Sequence, residues 1–213
     1  MRRKPLILCA LATVVGSEVA TASVVLAQKP AYTTSSRIAS SESTTKATVK
    51  TITQQIAELE VKRALLAGVL SPAAPQIQGI EGDLQILRKR LVQIQPDGNK
   101  AAVNIAVSQA LKAKIAELEV KHALLAAALI PTAPTVQGIE GQVQNLRKRY
   151  VQIQPDGNKA AVNIAVSKAI KAKIAELEEK RSLLTTRLSP ENPEIQSINS
   201  QLRSLEKRLI QLS

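Results

Sequence analysis

Acid and base recur in fixed blocks along this chain. "AELE" stands at 57–60, 116–119 and 175–178; "LRKR" stands at 87–90 and 146–149, and "LEKR" at 205–208. Paired carboxylates such as Glu58 and Glu60 are the residue types of general acid–base catalysis. Here each acidic block recurs with a basic block, so the pairs read as structural ion pairs. Other chemistry has little to work with. There is one Cys (Cys9), one His (His122) and three Asp (Asp83, Asp97 and Asp156). No metal-ligand cluster, nucleophile–base spacing or glycine-rich phosphate loop is visible. "IQGIEG" lies inside a heptad pattern and reads as packing. The chain is therefore read as a non-enzyme, with no cofactor expected.

Two sets of residues remain as candidates for contact. Lys100, Lys112 and Lys114, with their counterparts Lys159, Lys171 and Lys173, lie where few acids face them. The net charge of +12 makes them a candidate basic surface for anionic lipid headgroups, lipopolysaccharide or wall polymers. Arg63, His122 and Arg181 occupy one equivalent, apparently apolar, seam position. A polar residue there sets helix register; pH sensing is the alternative open to a histidine.

These residues sit on repeated elements. "IAELEVKRALL" begins at Ile56, "IAELEVKHALL" at Ile115 and "IAELEEKRSLL" at Ile174, a period of 59 residues. The first two copies are close and the third has drifted. "VQIQPDGNKAAVNIAVS" is identical at 92–108 and 151–167; recent duplication and selection on the linker both account for that. Within each copy the apolar spacing is helical. Ile195, Ile198, Leu202, Leu205, Leu209 and Leu212 step by three and four, as do Ile77, Ile80, Leu84, Leu87, Leu91 and Ile94. The second copy shows the same pattern from Val136 to Ile153. A preceding seam runs Leu111, Ile115, Leu118, His122, Leu125, Leu129. Between the seams stand "SPAAPQ", "IPTAPT" and "SPENPE", whose paired prolines end one helix and open the next. Ser189 and Asn192 can cap the last of these helices, and Glu191 and Glu194 suit its N-terminus.

The expected fold is all-α: three tandem antiparallel coiled-coil αα-hairpins in a 59-residue repeat, over 46–95, 96–154 and 155–213. Folding at the proline turns brings Glu58 and Glu60 to Arg88 and Lys89, Glu117 and Glu119 to Arg147 and Lys148, and Glu176 to Lys207. The copied linker reads as helix, Pro-Asp-Gly turn, then a helix capped by Asn99; a β-hairpin is the alternative, because "VQIQ" and "VNIAVS" alternate. The opening helices of the second and third repeats are then the longer ones, about 45 Å against about 30 Å. Their second stripe, Val103, Val107 and Ala110 with Val162, Val166 and Ala169, predicts that consecutive hairpins pack on each other or on a second molecule. Gly79, Gly82, Gly138 and Gly141, then Ser197 and Ser200, keep one side of the returning helix small, which reads as close helix contact; weak helix starts are the alternative.

The N-terminus carries an address. "MRRKP" is a positive region, "LILCALATVV" an apolar run, and Ala22 and Ala27 end small-residue cleavage sequences. This is the pattern of a signal peptide over 1–27, and an uncleaved anchor over Pro5–Ala27 is disfavoured by Glu18. No transmembrane helix is expected after cleavage, and the location is periplasmic or secreted. Residues 28–45 are Ser/Thr-rich and read as a flexible leader. Export, near-absent aromatics and consumed basic blocks disfavour nucleic acid as a partner.

"LLTTRLSPENPEIQSINSQLRSLEKRL" resembles the tip of the periplasmic coiled-coil hairpin of polysaccharide co-polymerases (chain-length determinants), and similar hairpins of periplasmic export adaptors. The resemblance implies a helix that reverses at Pro-x-x-Pro and an envelope address. The reading is an exported, non-enzymatic scaffold or spacer that binds an envelope protein by helix packing, with self-association included. The alternative is a basic module for anionic envelope polymers or lipid.

Overall fold

The computed structural model of the chain describes residues 35–96, 99–154 and 159–212. Six α-helices run through them: α1 (Ser35–Leu66), α2 (Pro75–Ile94), α3 (Asn99–Ala126), α4 (Pro134–Ile153), α5 (Lys159–Thr185) and α6 (Pro193–Gln211). No strand occurs among the described residues, so the fold is all-α. The signal-peptide reading of 1–27 falls outside the described residues. So do Asp97-Gly98 and 155–158, the centres of the copied turns.

The proline turns do what their chemistry requires. Pro75, Pro134 and Pro193 each open a helix, where a missing N–H leaves no bond unmade. Ala74 and Ala133 precede the first two in extended conformation without a side-chain cap. Of these three turns the last is capped by Asn192, whose side chain accepts from the Glu194 N–H at 2.9 Å. Val92 to Ile94 form the end of α2, with Gln95 as its C-cap, and "VNIAVS" is part of α3, so the alternating stretches are not strands. Helix α3 has 28 residues and α5 has 27, against 20 for α4 and 19 for α6.

The leader is shorter than its composition suggests. Residues 28–45 read as flexible, yet α1 begins at Ser35. Hydroxyl side chains compete for backbone groups, and just beyond the leader two of them bond the carbonyl four residues back. Thr48 donates to the Thr44 carbonyl at 2.9 Å and Thr51 to the Ala47 carbonyl at 3.0 Å. The stretch then continues into the buried face that starts at Ile52.

Consecutive helices pair as α1·α2, α3·α4 and α5·α6. The pairs run antiparallel: Glu60 meets Arg88 while the later Arg63 meets the earlier Glu81. The pairs also stack. Helices α1, α3 and α5 lie side by side; α4 reaches back to α1, and α6 back to α3. Helix α3 is thus the spine of the core, and its Leu111 and Ile115 have no exposed surface. One apolar cluster runs from Ile52 to Leu205 through all three pairs. The second stripe is inside it: Val103, Val107, Val162 and Val166 are all buried. Nearest-neighbour stacking of this kind is the architecture of a short α-solenoid.

The glycines overturn one expectation. A Cβ at Gly79, Gly82, Gly138 or Gly141 would meet nothing within 4 Å. They are not sites of close helix contact, because the buried face of the returning helix is carried by Ile77, Ile80 and Leu84 on neighbouring positions. Helix-interior glycine then only adds chain entropy to the unfolded state. Gly79→Ala and Gly138→Ala are each expected to stabilise the protein by about 0.5–1 kcal/mol, read as a higher urea midpoint at unchanged slope.

Candidate functional site

Two buried carboxylates organise the stack. Glu60 on α1 is 1% exposed and Glu119 on α3 is 2% exposed. Arg88 of α2 donates to Glu60 Oε1 at 2.6 Å, and Arg147 of α4 donates to Glu119 Oε1 at 2.9 Å. These are the pairings expected within a hairpin. The second oxygen of each carboxylate is taken by the next repeat. Arg149 gives Glu60 Oε2 two bonds, at 3.0 and 2.8 Å. Arg208 gives Glu119 Oε2 two bonds, at 2.9 and 2.6 Å. Each glutamate is therefore a clamp between repeats, satisfied by two guanidinium groups.

Sequence reasoning missed the second half of the clamp. Its signal was present: arginine stands at 90, 149 and 208 in all three copies. So was the strip that buries the carboxylate. Ala57, Glu60 and Ala64 on α1, like Ala116, Glu119 and Ala123 on α3, are all buried. Small residues on both sides let the neighbouring pair approach the glutamate. Ser204 closes the second junction by donating to the Ala123 carbonyl at 2.6 Å.

Other expected pairs form differently. Glu58 accepts from Gln54 at 3.0 Å and Glu117 pairs with Lys114 at 2.7 Å, each on its own helix, rather than with Lys89 or Lys148. Glu176 pairs with Lys173 at 2.6 Å, not with Lys207. The reason is positional: the first glutamate of each AELE block is exposed, and in the first two blocks the second is buried against the returning helix. In the third repeat the residue equivalent to Arg88 and Arg147 is Glu206, so that hairpin lacks its internal arginine.

The candidate basic surface divides accordingly. Lys114 and Lys173 each pair with an exposed glutamate three residues on along the same helix, Glu117 and Glu176. Lys100, Lys159 and Lys171 are exposed and Lys112 is half-buried, and none has an ion pair among the described residues.

Arg63, His122 and Arg181 are half-buried and flank the seam rather than fill it. The apolar interior beside them is made by Ala64 and Ala123. Arg63 binds Glu81 at 3.0 Å, and Arg181 donates to Asn199 at 3.3 Å. His122 shares a cleft of about 540 Å³ with Glu140, Ser200, Arg203, Lys207 and Arg208. Arg208 is committed to Glu119 and the Ser204 hydroxyl to a carbonyl, so the cleft offers ion pairing without an activated nucleophile. Among the described residues no group of three or more His, Cys, Asp or Glu could hold a metal, and no helix is long and apolar enough to cross a membrane. No protein-family model, curated protein or solved structure matches this chain.

Proposed function

We propose that the chain is a non-enzymatic scaffold or spacer of the bacterial cell envelope that binds a protein partner by helix packing. One observation carries this reading. Among the described residues the first repeat leaves a groove between α1 and α2 uncovered, with Leu59 and Leu87 at its base, Ile86 65% exposed, and Gln55, Glu58, Lys62 and Asp83 around it. In the second and third repeats the equivalent leucines are buried: Leu118 and Leu146, then Leu177 and Leu205. There the preceding inner helix lies over them. By equivalence with the covered grooves, it suits an amphipathic helix bearing small residues.

A photo-crosslinking side chain at position 86, in the chain expressed with its N-terminus intact, tests the reading. The expected product joins Ile86 to a helical segment of an envelope protein, survives high salt, and contains a chain starting near Ser23 or Gln28. Full-length protein with Met1 in the cytosol, or no product at position 86, would refute it. The unpaired Lys100, Lys112, Lys159 and Lys171 favour a second reading, binding to anionic envelope polymer or lipid. Capture by that route weakens steeply with salt, whereas helix packing does not.

A further inference from the structure

The two ends of the stack are complementary to each other. At the α5 end, Ala175, Glu178 and Ser182 are exposed. Their counterparts on α1 (Ala57, Glu60, Ala64) and on α3 (Ala116, Glu119, Ala123) are the buried strip described above. At the α1–α2 end, Arg90 is exposed. Its counterparts Arg149 and Arg208 are the arginines that reach back to Glu60 and Glu119. Neither Glu178 nor Arg90 has an ion pair among the described residues. One end therefore keeps the carboxylate half of the clamp and the other keeps the guanidinium half.

We propose that copies of this chain associate end to end, with the α5 strip of one copy seated in the α1–α2 groove of the next and Glu178 bound by the neighbour's Arg90. The inference rests on the helix-packing reading and names the occupant as a second copy. Three things on the molecule select that occupant. The junction repeats a step the chain already makes twice, from α1 to α3 and from α3 to α5. Opposite charges are available at the junction, with Glu178 and Glu179 on one end and Lys62 and Arg90 on the other, beside Glu58 and Asp83 on the groove wall. The hollow at the N-terminal half of α5, lined by Ile164, Ser167, Lys171 and Leu212, corresponds to one that α3 partly covers in the first junction through Ala102 and Ala106. The α1 residues equivalent to those two alanines are Ser43 and Ala47, also small.

The end contact is weaker than the internal ones. Thr48 stands where Val107 and Val166 stand, Glu179 where Val61 and Val120 stand, and Ser182 where Ala64 and Ala123 stand. Each change makes an end face more polar, as terminal repeats of a solenoid require for solubility. The association is therefore reversible and concentration-dependent. It is also heterologous, so it extends as an open chain rather than closing as a two-fold dimer.

Sedimentation velocity across the micromolar-to-millimolar range tests this with the purified chain and three variants. The parent is expected to grow in mass with concentration and to keep most of that mass in added salt, because the junction is packed as well as paired. Arg90→Glu and Glu178→Arg should each weaken association at least about tenfold. The double reversal should restore it, and an equimolar mixture of the two single variants should associate where neither does alone. Both sites are exposed, so circular dichroism should show all four proteins equally helical. A parent that stays monomeric throughout overturns the inference, as does association that ignores both reversals. A monomeric chain that still crosslinks an envelope helix at position 86 overturns this inference and leaves the reading beneath it standing.

Discussion

Replacing Arg88 and Arg149 together by methionine is expected to cost about 3–5 kcal/mol of folding stability. The two side chains are 51% and 25% exposed, but the carboxylate they serve is 1% exposed. Removing them leaves Glu60 buried, charged and without its hydrogen-bond donors. Methionine keeps much of the apolar stem that each arginine packs against its surroundings, so the loss reports the charge rather than a hole. Arg63 is a weaker partner: its Nη1 lies 3.8 Å from Glu60 while its Nη2 is held at 3.0 Å by Glu81. Adding Glu60→Met should recover most of the loss, because an apolar group of similar size needs no partner. Glu60→Met alone should cost less than the double arginine change, since the arginines left behind can turn to water. Urea denaturation of the four proteins measures the cycle. A double variant within about 1 kcal/mol of the parent, the worth of an ordinary surface ion pair, would show that Glu60 reaches solvent and that the clamp contributes little.

Val166→Asp is expected to be as damaging and to act on a different part of the molecule. Val166 has no exposed surface and lies on α5 in the cluster that joins α5 to α3. A carboxylate there has to be buried without a partner, at a cost of several kcal/mol, or expelled by separating α5 from α3. Because stacked repeats are coupled only to their neighbours, separation should release the α5·α6 pair before the rest. Amide hydrogen exchange should then rise across 159–211 first, with α1 to α4 still protected. Ile164→Asp is the control: it sits two residues away on the same helix and is 68% exposed, so stability should change by less than about 0.5 kcal/mol. If Val166→Asp melted like Ile164→Asp, the junction between repeats would be open to water and the stack would not exist in solution.

Position on the helix, more than residue type, separates the residues whose roles were readable in the sequence from those whose roles were not. The apolar steps from Ile77 to Leu91 and from Ile195 to Leu205 specified helices because no other backbone places those spacings on one face. Pro75, Pro134 and Pro193 set where the returning helices begin, because proline tolerates only the first turn. The pairing of Glu60 with Arg88 and of Glu119 with Arg147 followed from folding one helix back on the other. The valines at 103, 107, 162 and 166 were legible as a stripe in need of a neighbour.

What the sequence could not assign was the neighbour itself. Glu58 and Glu60 are the same residue two positions apart, and only the approach of α4 makes one a solvated side chain and the other a buried clamp. Arg149 and Arg208 are 89 residues from their glutamates, and no local spacing reports a contact at that distance. The glycines of α2 and α4 looked like contact points because one face was small; the stack put its inner helices elsewhere and left them in open space. Residues 28–45 read as a flexible leader, and α1 begins at Ser35 within them. The sequence by itself determined the helices, their reversals and the charge pairs inside each reversal, because these depend on residues close along the chain. Only the tertiary structure decided which carboxylates are buried, which arginines cross between repeats, and which half of that clamp is left uncovered at each end, because those depend on how one pair of helices lies on the next.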